Sequence, residues 1–152
     1  MTGIIIRRAT AADAPTLNAI VQSSSAYDAE YRTMIDDYEI AAEQIARDEI
    51  HAAEDEAALL GFYSLILAPE PELDLLFVSD AARGRGVGRV LIDHMRALAA
   101  ARGIRAVKIV SHPPALGFYR AMGAVEVGWA YPMGATAWVR PILMLPVSPA
   151  SA

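Results

Sequence analysis

The sequence predicts an α/β (α+β) protein with a mixed, mostly antiparallel sheet of about six to seven strands and about four helices. Two observations carry this prediction. The spacing of apolar residues alternates between strand and helix patterns, in the order β, α, α, β, β, β, α, β, α, β, β. Residues 72–110 read as strand, loop, helix and strand, which predicts one right-handed crossover and one parallel pair of strands. We expect the rest of the sheet to be largely antiparallel.

The N-terminal part of the chain predicts one strand and two helical segments. Residues 3–9 are rich in β-branched side chains and predict a first strand that is buried on both faces. Asp13 is suited to cap a helix, and Pro15 follows in the first turn, where its missing N–H is harmless. The serines at 23–25 end that helix. Residues 26–50 predict a mostly helical but irregular segment.

The middle of the chain predicts a hairpin, a strand and a long helix. Residues 51–54 and 58–65 read as two strands joined by a tight turn. A further strand, Glu72–Val78, leads into a glycine-rich loop at 83–89, and a helix with one apolar stripe follows it. Gly103 is typical of the residue just beyond a helix C-terminus.

The C-terminal part predicts three strands and one helix. Residues 106–110 form a short apolar strand. Pro113 and Pro114 open another helix, and Gly123 ends it. The last two predicted strands are residues 125–131 and 137–145.

The composition predicts one compact domain over residues 1–147, followed by a short polar tail at 148–152. Of the 152 residues, 55% are hydrophobic and 20% are charged, which favours an ordered fold. The net charge of −5 argues against nucleic acid as a partner, and the absence of cysteine excludes disulfides and thiolate metal sites. No apolar run approaches the length of a membrane span, so we expect no membrane partner and a cytoplasmic location.

The most informative stretch is the loop Arg83-Gly84-Arg85-Gly86-Val87-Gly88-Arg89. Its glycines let the backbone approach a ligand closely, and the start of the following helix offers unpaired N–H groups. Its spacing differs from G-x-G-x-x-G and from G-x-x-x-x-G-K-[ST], so two common nucleotide-binding motifs are excluded. Taken alone, the loop predicts either a diphosphate site or a tight turn with solvated arginines.

A second pattern, Ala115-x-x-Phe118-Tyr119 followed by Gly123-Ala124 in the helix after the next strand, favours the first of these readings. Together the two patterns resemble the GNAT superfamily of N-acetyltransferases. The family's acetyl-CoA motif, [RQ]-x-x-G-x-[GA], is matched by Arg83-x-x-Gly86-x-Gly88. The family's helix motif, N-x-x-A-x-x-[FL]-Y-x-x-x-G-[FA], is matched at Ala115, Phe118, Tyr119, Gly123 and Ala124, with His112 where asparagine is usual.

The resemblance implies acetyl-CoA as the cosubstrate. Main-chain N–H groups of the glycine loop would hold its pyrophosphate, with the arginine side chains as secondary contacts. Its pantetheine would lie between the fourth and fifth strands, which run parallel and splay apart in this family. The implied cofactor-binding residues are Phe77, Val78, Ser79, Arg83, Gly84, Arg85, Gly86, Val87, Gly88, Arg89, His112 and Tyr119.

The resemblance also implies a catalytic role for Tyr119, as the general acid that protonates the departing thiolate. A carboxylate on the fourth strand often serves as the base, and Glu72 and Asp74 lie on that strand, on one face by alternation. Either could be the base, or both could be solvated residues at a strand start. The histidines show no metal-ligand spacing, so no metal is expected; His51 and His94 are expected to face solvent.

The acceptor pocket implied by the resemblance lies between the first two helices and the late strands. Its expected lining is Tyr27, Tyr31 and Tyr38 on one side and Trp129 on the other, with Met34, Asp36, Asp37, Tyr131 and Trp138 as further members. Aromatic side chains mixed with carboxylates suit a cationic amine. An ordinary exposed helix face explains the same acids equally well.

The expected function is therefore acetyl transfer from acetyl-CoA to a primary amine of a small molecule or a protein, by a direct ternary-complex mechanism. The alternatives are a non-catalytic module that binds CoA or acyl-CoA, and a structural protein with the fold alone. The apolar strand at 139–145 is compatible with a homodimer interface and equally with core burial.

Overall fold

A computed structural model describes residues 3–27, 31–32, 35–36, 38–132 and 139–148. Its strands form one sheet in the order β1-β2-β3-β4-β5-β7-β6. The strands are β1 (Ile5–Arg8), β2 (Glu49–Glu54), β3 (Leu59–Ile66), β4 (Glu72–Val78), β5 (Ala106–Val110), β6 (Val125–Ala130) and β7 (Arg140–Pro146). The helices are α1 (Ala14–Ser23), α2 (Ala42–Arg47), α3 (Val87–Ala101) and α4 (Leu116–Ala121).

The sheet is mixed, as the sequence predicts. Strands β4 and β5 run parallel, and every other recorded pair of neighbours is antiparallel. The parallel ladder is short: Glu72 pairs with Lys108 and Leu73 with Ile109, and there it stops although both strands continue. The two strands therefore diverge and open a cleft in the middle of the sheet.

Apolar residues cover both faces of the sheet. On one face α3 and α4 pack over a core that includes Leu91, Met95 and Leu143. On the other face α1 packs over Phe62 and Phe77. Each fully buried side chain of this size contributes about 1.5–3 kcal/mol relative to exposure. The cleft between β4 and β5 therefore lies inside the sheet, between these two covered faces.

The first strand differs from its prediction. β1 was expected to be buried on both faces, but it is the outermost strand of the sheet and pairs only with β2. The side chain of Ile5 is 62% exposed. The β-branched composition predicted the strand correctly, whereas edge position depends on pairing that a local pattern does not carry.

The prediction of a mostly helical but irregular segment at 26–50 was only partly right. Among its described residues, 26–27 and 31–32 lie in 3₁₀ turns and α2 is the one α-helix, whereas residues 38–41 are not helical. Side chains of α1 hold this stretch: the Asn18 Oδ1 accepts from the N–H of Ile40 at 2.7 Å, and its Nδ2 donates to the carbonyl of Ile40 at 3.1 Å. These contacts to α1 replace the intrahelical hydrogen bonds that the local pattern would have made.

Asp13 does not cap α1. Its carboxylate accepts a hydrogen bond from the N–H of Thr10 at 2.8 Å and pairs with the guanidinium of Arg7 at 2.8 Å. Asp13 itself has helical backbone angles, because a short 3₁₀ turn, Ala11–Asp13, precedes α1. The residue therefore fastens the start of the helix to β1 instead.

The expectation that His51 and His94 face solvent was also wrong. His51 lies on the interior strand β2 and is 9% exposed, with its Nε2 3.0 Å from the carboxylate of Glu49. The Nδ1 of His94 is 2.8 Å from the hydroxyl of Tyr63, at hydrogen-bond distance. Both histidines thus belong to a polar cluster between α3 and the sheet.

Candidate functional site

The glycine loop joins β4 to α3 through two residues with left-handed backbone angles. Gly84 has φ +81° and Gly86 has φ +75°, a region that L-residues with a side chain rarely adopt. α3 then begins at Val87 and runs for 15 residues. The first-turn N–H groups of Val87, Gly88 and Arg89 have no intrahelical acceptor, and the helix dipole adds roughly half a positive charge there. This end of α3 is suited to bind an anion.

The three arginines of the loop have different surroundings. Arg83 pairs with Asp80 at 3.3 Å and borders a cavity beside the loop. Arg85 pairs at 3.2 Å with Asp55, in the turn between β2 and β3. Arg89 is exposed. Of the three guanidinium groups predicted as secondary contacts, the structure thus places that of Arg83 at the cavity and ties that of Arg85 to the hairpin.

The first cavity, which we call the loop cavity, has a volume of about 170 Å³. It extends from the glycine loop along β4 to α4. A Cβ on Gly88 would lie 3.1 Å from the ring of Phe118, so any other residue here would push this aromatic wall back from the loop by a few tenths of an ångström. The lining residues are Ser24, Tyr27, Leu76, Phe77, Val78, Arg83, Gly88, His112, Ala115, Phe118 and Tyr119.

The main chain of β4 presents polar groups to this cleft. The N–H of Ser79 donates to the carbonyl of Leu60 on β3 at 2.8 Å, and the carbonyl of Ser79 accepts from Ala82 at 2.9 Å. Because N–H directions alternate along a strand, the N–H of Val78 points the opposite way, toward the side that β5 has left. Of the three residues predicted to offer main-chain groups there, Val78 is therefore the best placed donor.

Tyr119 lies where α4 meets the cleft. It is 8% exposed and lines both the loop cavity and a smaller one of about 50 Å³, the strand cavity, between the diverging ends of β4 and β5. Burial, and to a lesser extent neighbouring Tyr27, raises the pKa of the phenol well above its usual value. The hydroxyl therefore stays protonated throughout the neutral pH range.

A third cavity, the acidic cavity, lies on the α1 side of the cleft and has a volume of about 250 Å³. Tyr27 and Phe77 line it and also line the other two cavities, so the three share walls. The ring of Tyr27 stacks on His112 at 4.1 Å and on Phe77 at 5.3 Å between centroids. The lining of the acidic cavity is Val21, Tyr27, Ile35, Tyr38, Glu72, Asp74, Leu75, Phe77, Val110 and Arg140.

The two carboxylates reach this cavity through an irregularity in β4. Ser64 pairs with Leu75 and Leu65 with Leu73, so Asp74 is an extra residue without a partner on β3, a β-bulge. The bulge places Glu72 and Asp74 in one cavity. The sequence predicted the shared face, but by simple alternation.

Asp74 is the more perturbed of the two acids. Its side chain is accessible from the cavity, yet desolvation by the surrounding protein raises its pKa from 3.8 to about 6. The nearby carboxylates of Glu72 and Asp48 add to the increase, and Arg47 opposes it. A carboxylate with this pKa is ionised at neutral pH and is a better proton acceptor than an ordinary aspartate.

The predicted aromatic residues are brought together only in part. Tyr27 and Tyr38 line the acidic cavity, and the Tyr38 hydroxyl accepts from the Nε2 of Gln44 at 3.0 Å. Tyr31 meets the ring of His112 edge-on at 6.0 Å. Trp129 lies on β6, 57% exposed, and lines none of these three cavities. Met34, Asp37 and Trp138 lie outside the described residues.

Sequence reasoning missed Arg140. It lies at the start of β7 and lines the acidic cavity. A signal was present, because Arg140 is the one charged residue in the otherwise apolar stretch 139–147.

The described residues contain neither a metal-ligand cluster nor a membrane-spanning helix. Within them, no three histidine or acidic side chains converge in a way that could hold a metal ion. None of the helices in this part of the chain combines the length and apolar character needed to cross a membrane.

Comparisons with known proteins agree with this geometry. The model of the acetyltransferase (GNAT) family matches residues 17–124. A 5-NmdU N-acetyltransferase from Pseudomonas phage PaMx11 is 33% identical over 82 residues, which cover 52% of this chain and 59% of that protein. The chain thus spans little more than half the length of this curated relative.

Solved structures share the fold over nearly the whole chain. The ribosomal-protein-S18-alanine N-acetyltransferase from Escherichia coli superposes with a TM-score of 0.73 at 19% identity, covering 98% of this chain and 97% of that one. The PaiA N-acetyltransferase from Thermoplasma acidophilum, in complex with coenzyme A, gives a TM-score of 0.69 at 18% identity, with coverages of 95% and 99%.

Proposed function

Because the chain belongs to the GNAT family of acetyltransferases, we propose that it transfers an acetyl group from acetyl-CoA to a primary amine of a small molecule or a protein, in a ternary complex. The observation that carries this proposal is one arrangement of three parts. An anion-binding helix start, the buried phenol of Tyr119 and the carboxylate of Asp74 border cavities that share walls.

The residues of the loop cavity fit acetyl-CoA. Its pyrophosphate is an oxyanion, and the first-turn N–H groups of α3 are donors without an intrahelical acceptor. The apolar side chains of Leu76, Phe77 and Val78 suit the pantetheine arm. Beyond Leu73, the side of β4 that faces the cleft has no ladder partner on β5, so an extended ligand can take that place.

The proposed proton transfers use Asp74 and Tyr119. An amine arrives as an ammonium ion at neutral pH, and Asp74 accepts a proton from it so that the nitrogen lone pair becomes available. The nitrogen then attacks the thioester carbonyl, whose oxygen can accept from the N–H of Val78. The carbon–sulfur bond breaks, and Tyr119 donates its proton to the departing sulfur. Because burial makes this phenol a weaker acid than an ordinary tyrosine, its proton is transferred only as negative charge develops on the sulfur.

The release of free thiol from acetyl-CoA in the presence of a panel of amines tests the proposal. We expect turnover, and we expect Tyr119→Phe to lower kcat at least about tenfold while the Kd for acetyl-CoA changes little. Tyr63→Phe is the matched control, because Tyr63 is also buried but lies within hydrogen-bond distance of His94, outside the three cavities. This control should keep kcat.

Two other outcomes would contradict parts of the proposal. An unchanged kcat in Tyr119→Phe would remove the general-acid role. Acetyl-CoA that raises the Tm but yields no thiol with any amine would instead support a non-catalytic CoA-binding module.

A further inference from the structure

Arg140 lies at a cavity wall and, within the described residues, forms no ion pair, unlike most arginines there. Its Nε is buried and has no hydrogen-bond partner in the described part of the chain. A buried, unsatisfied donor is unfavourable, and more so on a charged group. Arginines that do pair with a carboxylate are Arg7, Arg8, Arg32, Arg47, Arg83, Arg85, Arg102 and Arg120.

The position of Arg140 in β7 directs it to the α1 side of the sheet. Leu143 and Leu145 belong to the core under α3 and α4, and Arg140 is an odd number of residues away from each. Alternation therefore places Arg140 on the opposite face, where it shares the acidic cavity with Glu72 and Asp74.

The opposite charges of this cavity are not paired with one another. Among the ion pairs of the described residues, none joins Arg140 to Glu72 or Asp74. The acidic cavity thus presents two carboxylates and, not paired with them, the guanidinium-bearing Arg140. Apolar and aromatic side chains, Ile35 and Tyr38 among them, complete the wall.

We propose that Arg140 determines acceptor specificity, and that the acceptor is an amine that also carries an oxyanion, either a carboxylate or a phosphate. This inference rests on the proposed function, in which the amine gives its proton to Asp74. A planar guanidinium binds both oxyanions through paired hydrogen bonds. An amine without such a group leaves Arg140 unsatisfied and forgoes that contact.

Matched pairs of small amines test this inference. One pair is β-alanine and β-alaninamide, and the other is phosphoethanolamine and ethanolamine. KM and kcat are measured for each, and calorimetry of the CoA-bound protein measures amine binding independently of turnover. The variants are Arg140→Gln, Arg140→Lys and Arg105→Gln, in which the same charge is lost from an exposed site at the far end of β5.

We expect at least one anionic amine to have a KM roughly tenfold or more below that of its uncharged partner. Arg140→Gln should abolish this preference by raising the KM of the anionic amine, with kcat nearly unchanged. Arg140→Lys should retain part of it, and Arg105→Gln all of it. The pair whose KM preference is lost in Arg140→Gln identifies the oxyanion: carboxylate for the β-alanine pair, phosphate for the phosphoethanolamine pair.

Failure of this inference is distinguishable from failure of the proposed function. Acetylation of charged and uncharged amines with equal KM, unaffected by Arg140→Gln, overturns the inference and leaves the proposed function standing. Calorimetry that shows no binding of either anionic amine to the CoA-bound protein also overturns it. Absence of acetyl-CoA binding overturns the proposed function, and the inference with it.

Discussion

The two candidate bases on β4, Asp74 and Glu72, can be distinguished by the pH dependence of kcat/KM. With a pKa of about 6, Asp74 is ionised at pH 7, whereas at one pH unit below its pKa only about a tenth of it is. If Asp74 accepts the proton, kcat/KM should fall about tenfold per pH unit on the acid side of pH 6. Asp74→Asn should remove this acid limb and lower kcat/KM by about 100-fold or more at the plateau.

The companion variant Glu72→Gln makes the test specific. The carboxylate of Glu72 raises the pKa of Asp74, so its removal should move the acid limb to lower pH while most activity remains. The assay is thiol release at several pH values with one amine for all variants, so that titration of the amine affects each profile equally. Loss of the limb in Glu72→Gln, with the limb retained in Asp74→Asn, would refute the reasoning and assign the base to Glu72.

The raised pKa of Asp74 also predicts how the free energy of unfolding depends on pH. Folding raises the pKa of Asp74 from 3.8 to about 6, so the folded state binds its proton more tightly than the unfolded state does. The associated stability is present below pH 3.8 and is lost as the pH rises through about 6. Asp74→Asn should therefore unfold at higher denaturant concentration than wild type at pH 8, and this gain should vanish near pH 4. A gain that is equal at both pH values would contradict the shift.

Two further variants probe the loop and the start of α1. Gly86→Ala puts a Cβ on a backbone with φ +75°, which should lower the free energy of unfolding by about 1–2 kcal/mol and should also raise the Kd for acetyl-CoA. Gly103→Ala is the control, because Gly103 has the same φ of +75°. It should lower the free energy of unfolding by as much but leave the Kd for acetyl-CoA unchanged. Equal Kd values for acetyl-CoA in the two variants would show that the glycine loop does not bind the cofactor. Arg7 holds the pKa of Asp13 at about 2, so Asp13→Asn should lower the free energy of unfolding by about 1 kcal/mol at pH 7, and this loss should shrink as the pH falls through about 2. A loss that persists in acid would show that the ion pair is not its cause.

The parts of the site that the sequence predicted are those with local causes. Positive φ at Gly84 and Gly86 and the apolar stripe of α3 are properties of neighbouring residues, so the strand, loop and helix could be predicted in order. The position of Tyr119 was predicted through the register of its helix motif.

The parts that the sequence did not predict depend on contacts between distant residues. Whether Asp74 forms a bulge is decided by how Ser64 and Leu65 of β3 pair with β4, and this pairing sets which face the acids share. The extended path around Ile40 depends on hydrogen bonds to Asn18. Arg140 lies in an otherwise apolar strand. Its role can be inferred only from the folded sheet, in which it lines the same cavity as the acids of β4.

A crystal structure of the protein in complex with CoA would test the central claim, the position of the cofactor, most directly. The proposal predicts the pyrophosphate within hydrogen-bond distance of the N–H groups of Val87, Gly88 and Arg89, and the sulfur beside the hydroxyl of Tyr119. CoA bound elsewhere, or a sulfur far from Tyr119, would contradict it.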